Sequence, residues 1–323
     1  MDMPSLPFRK LKLFRKYYEY RIVKAVLEDD HSGLVHALKK MNIPEDIFKD
    51  YTHICFNGEG AVHYRSGHIR LFMGLLYLAK LQGKTVASVN QTVDLDRDRT
   101  LEQLLSKVYN RLDFVSVREP LSYAYLQEIG VKEVQLIPDA VYGLPKMHTE
   151  EIESRVAAYD LPEHYIAFTG SSALKRNKTS LEQVRHILSM IQGTVQLPIV
   201  FMANAKTDIW LAHQLKDAFD LMIIEPPVKY IDAMAMIAQA DILIGGRQHP
   251  NIFAYIYETP YVPFEGNTFK NEGVALLQNY PLKPLPWDVS LTDLQSAIDH
   301  VYPGKVSFKQ IRIGAFNIFD PVA

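Results

Sequence analysis

Short apolar runs alternate with longer amphipathic stretches along most of this chain, and that alternation sets the expected architecture. Runs at His53–Asn57, Thr85–Val89, Phe114–Val117 and Glu133–Ile137 have the length and apolar content of buried strands. Helical periodicity between them predicts helices over Arg65–Leu81, Arg99–Leu112 and Pro120–Ile129, the last with proline at its start and Gly130 as its stop. The rhythm breaks from Pro138 to Pro162, where Pro145, Pro162 and the charged run Thr149–Arg155 read as a linker with a short helix. It resumes with strands expected at Tyr165–Phe168, Leu197–Met202, Leu221–Ile224, Asp241–Ile244 and Tyr261–Phe264. Helices are expected near Ser180–Ile191, Asp208–Ala218, Tyr230–Ala240, Asn251–Tyr257 and Asn271–Asn279. Strands alternating with helices in this way predict an α/β fold of two doubly wound, parallel-sheet domains facing across a cleft. The expected division is residues 1–145, residues 146–290, and a C-terminal helix (Leu291–Val301) with a tail, 291–323, able to fold back over the first domain.

Residues 1–40 break the pattern. Between Arg9 and Lys24 lie Arg9, Lys10, Lys12, Arg15, Lys16, Arg21 and Lys24 against Glu19 alone, with Leu11, Phe14, Tyr18 and Ile22 at helical spacing. Such a basic amphipathic helix either lies on an anionic membrane or packs its apolar stripe on the body with its charges in solvent; the packed helix is the expectation here. The rest of the chain is balanced. At 323 residues it suits two domains of roughly 150 residues, and a net charge of −2 gives no reason to expect a nucleic-acid partner. The single cysteine, Cys55, excludes an internal disulfide, no Cys/His cluster has zinc spacing, and no run is long enough to span a membrane. A reducing, cytoplasmic setting is expected, with peripheral contact at the inner face of the membrane as the alternative that the basic helix raises.

Candidate chemistry gathers where predicted strands end. Gly245-Gly246-Arg247-Gln248-His249-Pro250 follows the apolar run Asp241–Ile244, placing a guanidinium beside an imidazole just before a helix. Ligands of open α/β sheets collect at such carboxyl ends, where helix amides point at anions. The structural alternative is an arginine in a salt bridge and a histidine capping the helix. Arg118 occupies the equivalent place in the first domain, between Phe114–Val117 and Pro120, so that two arginines converging on a cleft suit a substrate with separate phosphate and carboxylate groups. A salt bridge with Glu119 or a neighbouring acid is the alternative for Arg118. Asn57-Gly58-Glu59-Gly60 reads as a tight turn exposing Glu59 at a strand end, with Asn57 and Glu59 suited to sugar hydroxyls and Glu59 able to act as a base. Ser88-Val89-Asn90-Gln91, Asn90 among them, ends another strand with uncharged donors and acceptors suited to a hydroxylated ligand. Lys270 follows the strand Tyr261–Phe264, and Thr169–Arg176 could cradle a phosphate without being a Walker loop.

Taken together these blocks resemble the polysaccharide pyruvyltransferase family. The match runs through Phe56–Gly60, then Val115–Tyr123 and Leu126–Val131 to Ile137-Pro138-Asp139, then Gly245–His249, Ala254, Pro260, and Lys270 ahead of Gly273. The resemblance implies a GT-B-like fold and transfer of the enolpyruvyl-derived group of phosphoenolpyruvate onto a sugar of a cell-surface glycan or its lipid-linked precursor. The products are a cyclic pyruvate ketal and phosphate. By motif position Arg118, Arg247 and His249 match the residues that handle phosphoenolpyruvate. His249 then protonates C3 of the donor, Arg118 and Arg247 neutralise its anionic groups, and Glu59 takes the acceptor proton. Lys270, Asn57 and Asn90 complete the expected binding set, with no metal and no cofactor beyond the donor. The helical N-terminus departs from the family's usual opening strand. The competing readings are a GT-B glycosyltransferase using a nucleotide sugar, with Arg247 and Lys270 on its diphosphate, and a catalytically silent binding member of a polysaccharide assembly system.

Overall fold

A computed structural model describes residues 8–304, 306–309 and 311, and these form two compact units, one ending at Pro138 and the other beginning at Asp139. The boundary expected after residue 145 falls inside the second unit. The reason is Tyr142, which joins the second core, packs edge-on against Tyr255 and accepts a hydrogen bond from Gln278.

The first unit opens with helices α1 (Phe8–Leu27) and α2 (His31–Lys40). It continues through β1 (His53–Asn57), α3 (Ile69–Leu81), β2 (Thr85–Gln91), α4 (Arg99–Tyr109), β3 (Phe114–Val117), α5 (Pro120–Glu128) and the two-residue β4 (Gln135–Leu136). Its sheet is parallel in the order β1-β2-β3-β4, so every crossover steps the same way. Right-handed crossovers of this kind place α3, α4 and α5 on one face. Phe56 of β1 meets Phe72 of α3 there, and Ser88 of β2 reaches the Tyr109 hydroxyl of α4. The sheet therefore winds in one direction rather than two, because the residues before β1 form helices instead of a strand on its far side.

The packed form of the N-terminal helix is realised in its second half. Ile22, Val23, Ala25 and Val26 are buried in the first core, against α3 and α4. Asp29 ties the turn after α1 to those helices, accepting from Lys107 at 2.6 Å, from Tyr77, and from Arg111 at 2.8 Å. The Lys107 hydrogen bond holds its carboxyl below the usual range, while burial and the Asp29 bond push the Tyr77 phenol up to about 12.

The second unit contains α6 (Thr149–Val156), β5 (Ile166–Ser171), α7 (Lys178–Thr194), β6 (Ile199–Met202), α8 (Lys206–Phe219), β7 (Met222–Ile224), α9 (Tyr230–Gln239), β8 (Ile242–Gly246), α10 (Gln248–Tyr257), β9 (Tyr261–Pro263), α11 (Lys270–Gln278) and α12 (Leu291–Val301). Its parallel sheet runs β7-β6-β5-β8-β9. The chain steps outward from β5 to β7, then crosses back to β8, which creates a topological switch point between β5 and β8. The presumed linker helix, α6, is an integral part of this unit, held to α9 by Arg155–Asp232 at 3.0 Å and by the Tyr159 hydroxyl on the same carboxylate. Helix α12 packs here too, through Leu294, Ala297, Ile298 and Val301, rather than over the first domain; Tyr302, Val306 and Phe308 of the tail pack on the same core, and residues 312–323 lie outside the described residues.

Candidate functional site

The carboxyl ends of β5, β8 and β9 carry the second unit's candidate residues. Gly245 has φ +155°, and a Cβ there would lie 2.2 Å from Thr169 Oγ1 and 2.4 Å from the Thr169 carbonyl oxygen. Only glycine lets β5 and β8 approach this closely at the switch point, which fixes where the following residues emerge. Helix α10 begins at Gln248, earlier than the Asn251 start that the sequence pattern suggests. Arg247 is consequently its N-cap position and His249 lies in its first turn, where Pro250 is tolerated because no intrahelical donor is lost.

Arg247 is clamped by Asp208, a fully buried carboxylate in the first turn of α8. Nε lies 2.9 Å from Oδ2 and Nη2 lies 2.7 Å from Oδ1. The salt-bridge alternative for this arginine is thus realised, yet it occupies only one edge of the guanidinium. Nη1 has no partner among the described residues, and the side chain remains 20% exposed. An arginine so held is pre-oriented rather than consumed, since the fork keeps further donors for an anion. The histidine alternative is not realised: no side chain caps α10. Instead His249 Nε2 lies 3.7 Å from Oδ2 of buried Asp139, whose other oxygen accepts from the Val141 amide, and the ring stacks on Phe253 at 6.4 Å. The aspartate and phenylalanine flank the imidazole while leaving it 36% exposed.

Two further contacts shape this edge. Asn271, buried at the start of α11, donates to the carbonyls of Gly246 (2.9 Å) and Phe264 (2.7 Å), tying β8 to β9 just before Arg247. Ser172 and Asn267 join the loops after β5 and β9 at 2.8 Å, and Lys270, half-buried, opens α11 from the same rim. Lys175 and Arg176 are exposed, and the loop carrying them ends in an Asn177 cap on α7.

In the first unit the sheet's carboxyl edge brings together Asn57, Glu59, Asn90 and Arg118. Gly60 takes φ +62°, which favours glycine, and a Cβ on Gly58 would meet Gln91 at 2.5 Å, so both glycines ease the turn that presents Glu59. Asn90 lies in the left-handed region and donates weakly to Asn57 at 3.5 Å, its own Oδ1 buried without a partner. Arg118 is 2% exposed; its Nε donates to Thr92 at 3.2 Å and Nη1 lies 3.8 Å from Glu59 Oε1. The neighbouring Glu119 serves α5 instead, accepting from the Leu121 and Ser122 amides and the Ser122 hydroxyl, while burial pushes its carboxyl up against those donors. Ser88 and Gln91, which looked available to a hydroxylated ligand, are spent internally on Tyr109, Ser116 and each other.

Asp139, Asp208 and Asn271 were not singled out from the sequence. Asp139 lay within a recognisable block without a role. The acid in the first turn of α8 and the amide opening α11 follow strands, but Arg247 and Gly246, which they hold, lie 39 and 25 positions away.

No functionally curated protein matches the chain. Among solved structures it is similar to UDP-GlcNAc 2-epimerase from Methanocaldococcus jannaschii, with TM-score 0.56 and 14% identity over 88% of this chain and 78% of that one. The M. jannaschii UDP-GlcNAc 2-epimerase in complex with UDP-GlcNAc and UDP gives TM-score 0.61 and 14% identity over 88% and 77%. Anabaena HepE in complex with UDP and glucose gives 0.52 and 11% over 92% and 88%. At these identities the likeness concerns the fold, which is α/β and GT-B-like. The sequence profile of the polysaccharide pyruvyl transferase family matches residues 8–267, which takes in α1 and α2 as well as both strand-end edges. The chain belongs to the polysaccharide pyruvyl transferase family.

Proposed function

We propose that this transferase forms a pyruvate ketal on a sugar of a glycan or its lipid-linked precursor, with phosphoenolpyruvate as donor and phosphate as product. The observation that carries the reading is the switch-point edge of the second unit. There an arginine oriented by buried Asp208 and a histidine oriented by buried Asp139 lie at a helix N-terminus. A pre-aimed guanidinium and helix amides suit a phosphate or carboxylate, and an imidazolium beside them can deliver a proton.

In this reading His249 protonates C3 of the donor, and the resulting cationic C2 is attacked by an acceptor hydroxyl whose proton passes to a base. The C2–O bond to phosphorus then breaks, its electron pair leaving with phosphate, and a second hydroxyl closes the ring and loses its proton. Arg247, with Lys270 on the same rim and Arg118 by motif position, neutralises the donor's anionic groups and the departing phosphate. Asn57, Asn90 and Glu59 supply the first unit's hydroxyl-binding chemistry, with Glu59 as the base. The test is phosphate release from phosphoenolpyruvate in the presence of a panel of sugar acceptors. Acceptor-dependent release supports the reading. Acceptor-dependent release of the nucleoside diphosphate from a nucleotide sugar, with no phosphate from phosphoenolpyruvate, would transfer the assignment to a glycosyltransferase, whose fold the UDP-bound neighbours share.

A further inference from the structure

Helix α1 presents two different faces. Its inner face buries Ile22, Val23 and Val26. Its outer face carries Leu13, Tyr17 and Tyr20 at i, i+4 and i+7, exposed by 68%, 52% and 63%, with Phe14 beside them at 44%. Four of the eleven exposed large apolar side chains among the described residues thus fall within two turns of one helix. The cations are arranged around them. Lys16, Arg21 and Lys24 flank the apolar row, and the sequence adds Arg9, Lys10 and Lys12 on the preceding turns. The single acid of that stretch, Glu19, is turned inward and only 7% exposed, where Arg15 neutralises it at 2.8 Å. Arg15 is drawn to the body as well, reaching the Gly67 carbonyl and His68. Among the described residues Glu28, 3.9 Å from Lys24, is the first exposed acid along the chain.

We propose that the outer face of α1 docks on an anionic phospholipid surface. Leucine and phenylalanine can enter the acyl boundary, tyrosine rings favour the headgroup level, and flanking lysine and arginine reach lipid phosphates. The charge pattern selects this occupant. In a chain of net charge −2, α1 holds seven lysines and arginines against the single acid Glu19, a local excess of positive charge that fits a sheet of negative charge. The same cations disfavour pairing with a second copy of the face. Docking there would hold the enzyme at the surface where lipid-linked acceptors reside, although the inference stands on α1 alone and not on the reaction.

The test is co-sedimentation of the full chain with phosphatidylcholine vesicles and with vesicles of phosphatidylcholine and phosphatidylglycerol in equal parts, at low ionic strength. Binding to the mixed vesicles alone is expected. Lys16→Gln/Arg21→Gln should lower partitioning about 30-fold, at about 1 kcal/mol per cation. Leu13→Ser/Tyr17→Ser/Tyr20→Ser should lower it roughly tenfold or more, with unchanged circular dichroism and melting in both variants. Absence of binding by the intact chain, or full binding by both variants, overturns the proposal. So does a concentration-dependent dimer abolished by the apolar variant, which would assign the face to a second copy.

Discussion

The two strand-end edges are made of similar residues but are built differently. In the second unit the strand order reverses between β5 and β8, and the residues leaving β8 emerge beside the opening that the reversal creates. Two candidate side chains there lie against buried acids: Arg247 on Asp208 at 2.7 Å, His249 near Asp139 at 3.7 Å. In the first unit the strands follow chain order, no reversal occurs, and the polar side chains hold one another along the rim, Asn57 to Asn90 and Arg118 to Glu59. A switch point backed by buried carboxylates suits tight, oriented capture of a small anion. A ledge of half-exposed amides and one carboxylate suits the looser recognition of sugar hydroxyls.

The contrast is tested most strongly by chemistry. His249→Gln should lose about 10²–10⁴-fold in turnover, as a general acid does, while the donor still binds. A variant with most of its activity intact would leave the second edge as a binding site only. Stability separates the two edges next. Asp208→Asn removes the buried partner of Arg247 and should cost about 3 kcal/mol in denaturant melts. Glu59→Gln, at a carboxylate 39% exposed and 3.8 Å from its partner, should cost less than about 1 kcal/mol. Equal losses would mean that the edges are built alike. Smaller still is the difference between two glycines. Gly245→Ala drives a Cβ into Thr169 and should cost about 2–3 kcal/mol. Gly60→Ala meets nothing within 4 Å and should cost only the left-handed strain of about 1 kcal/mol. Thermal melts of the two single variants measure this difference.

Much of the fold could be read from local pattern, because strands and helices announce themselves by period. β1, β3 and α12 begin and end where apolar spacing placed them, at His53–Asn57, Phe114–Val117 and Leu291–Val301. The start of α10 could not be placed this way. Gly245-Gly246 and Pro250 read as loop, whereas the close approach of β8 to Thr169 and Ser171 uses the glycines and the first helical turn absorbs the proline. The winding of the first sheet was also hidden, since period does not encode strand order. The strand-end arginines and histidine were visible as chemistry, but not what holds them. Asp208 grips Arg247 from 39 positions away, and Asn271 reaches back to Gly246, contacts that exist only once the sheet is assembled.

In the proposed reaction the second unit's edge captures phosphoenolpyruvate through a pre-oriented Arg247. This capture is tested most directly by thermal melting of the protein and of Arg247→Lys with phosphoenolpyruvate, UDP or UDP-GlcNAc. Lysine keeps the charge but cannot share one planar fork between Asp208 and a ligand. Phosphoenolpyruvate should raise the melting temperature of the native chain more than either nucleotide does, and Arg247→Lys should lose most of that gain. Stabilisation by the nucleotides alone, or an undiminished response to phosphoenolpyruvate in Arg247→Lys, would contradict that capture.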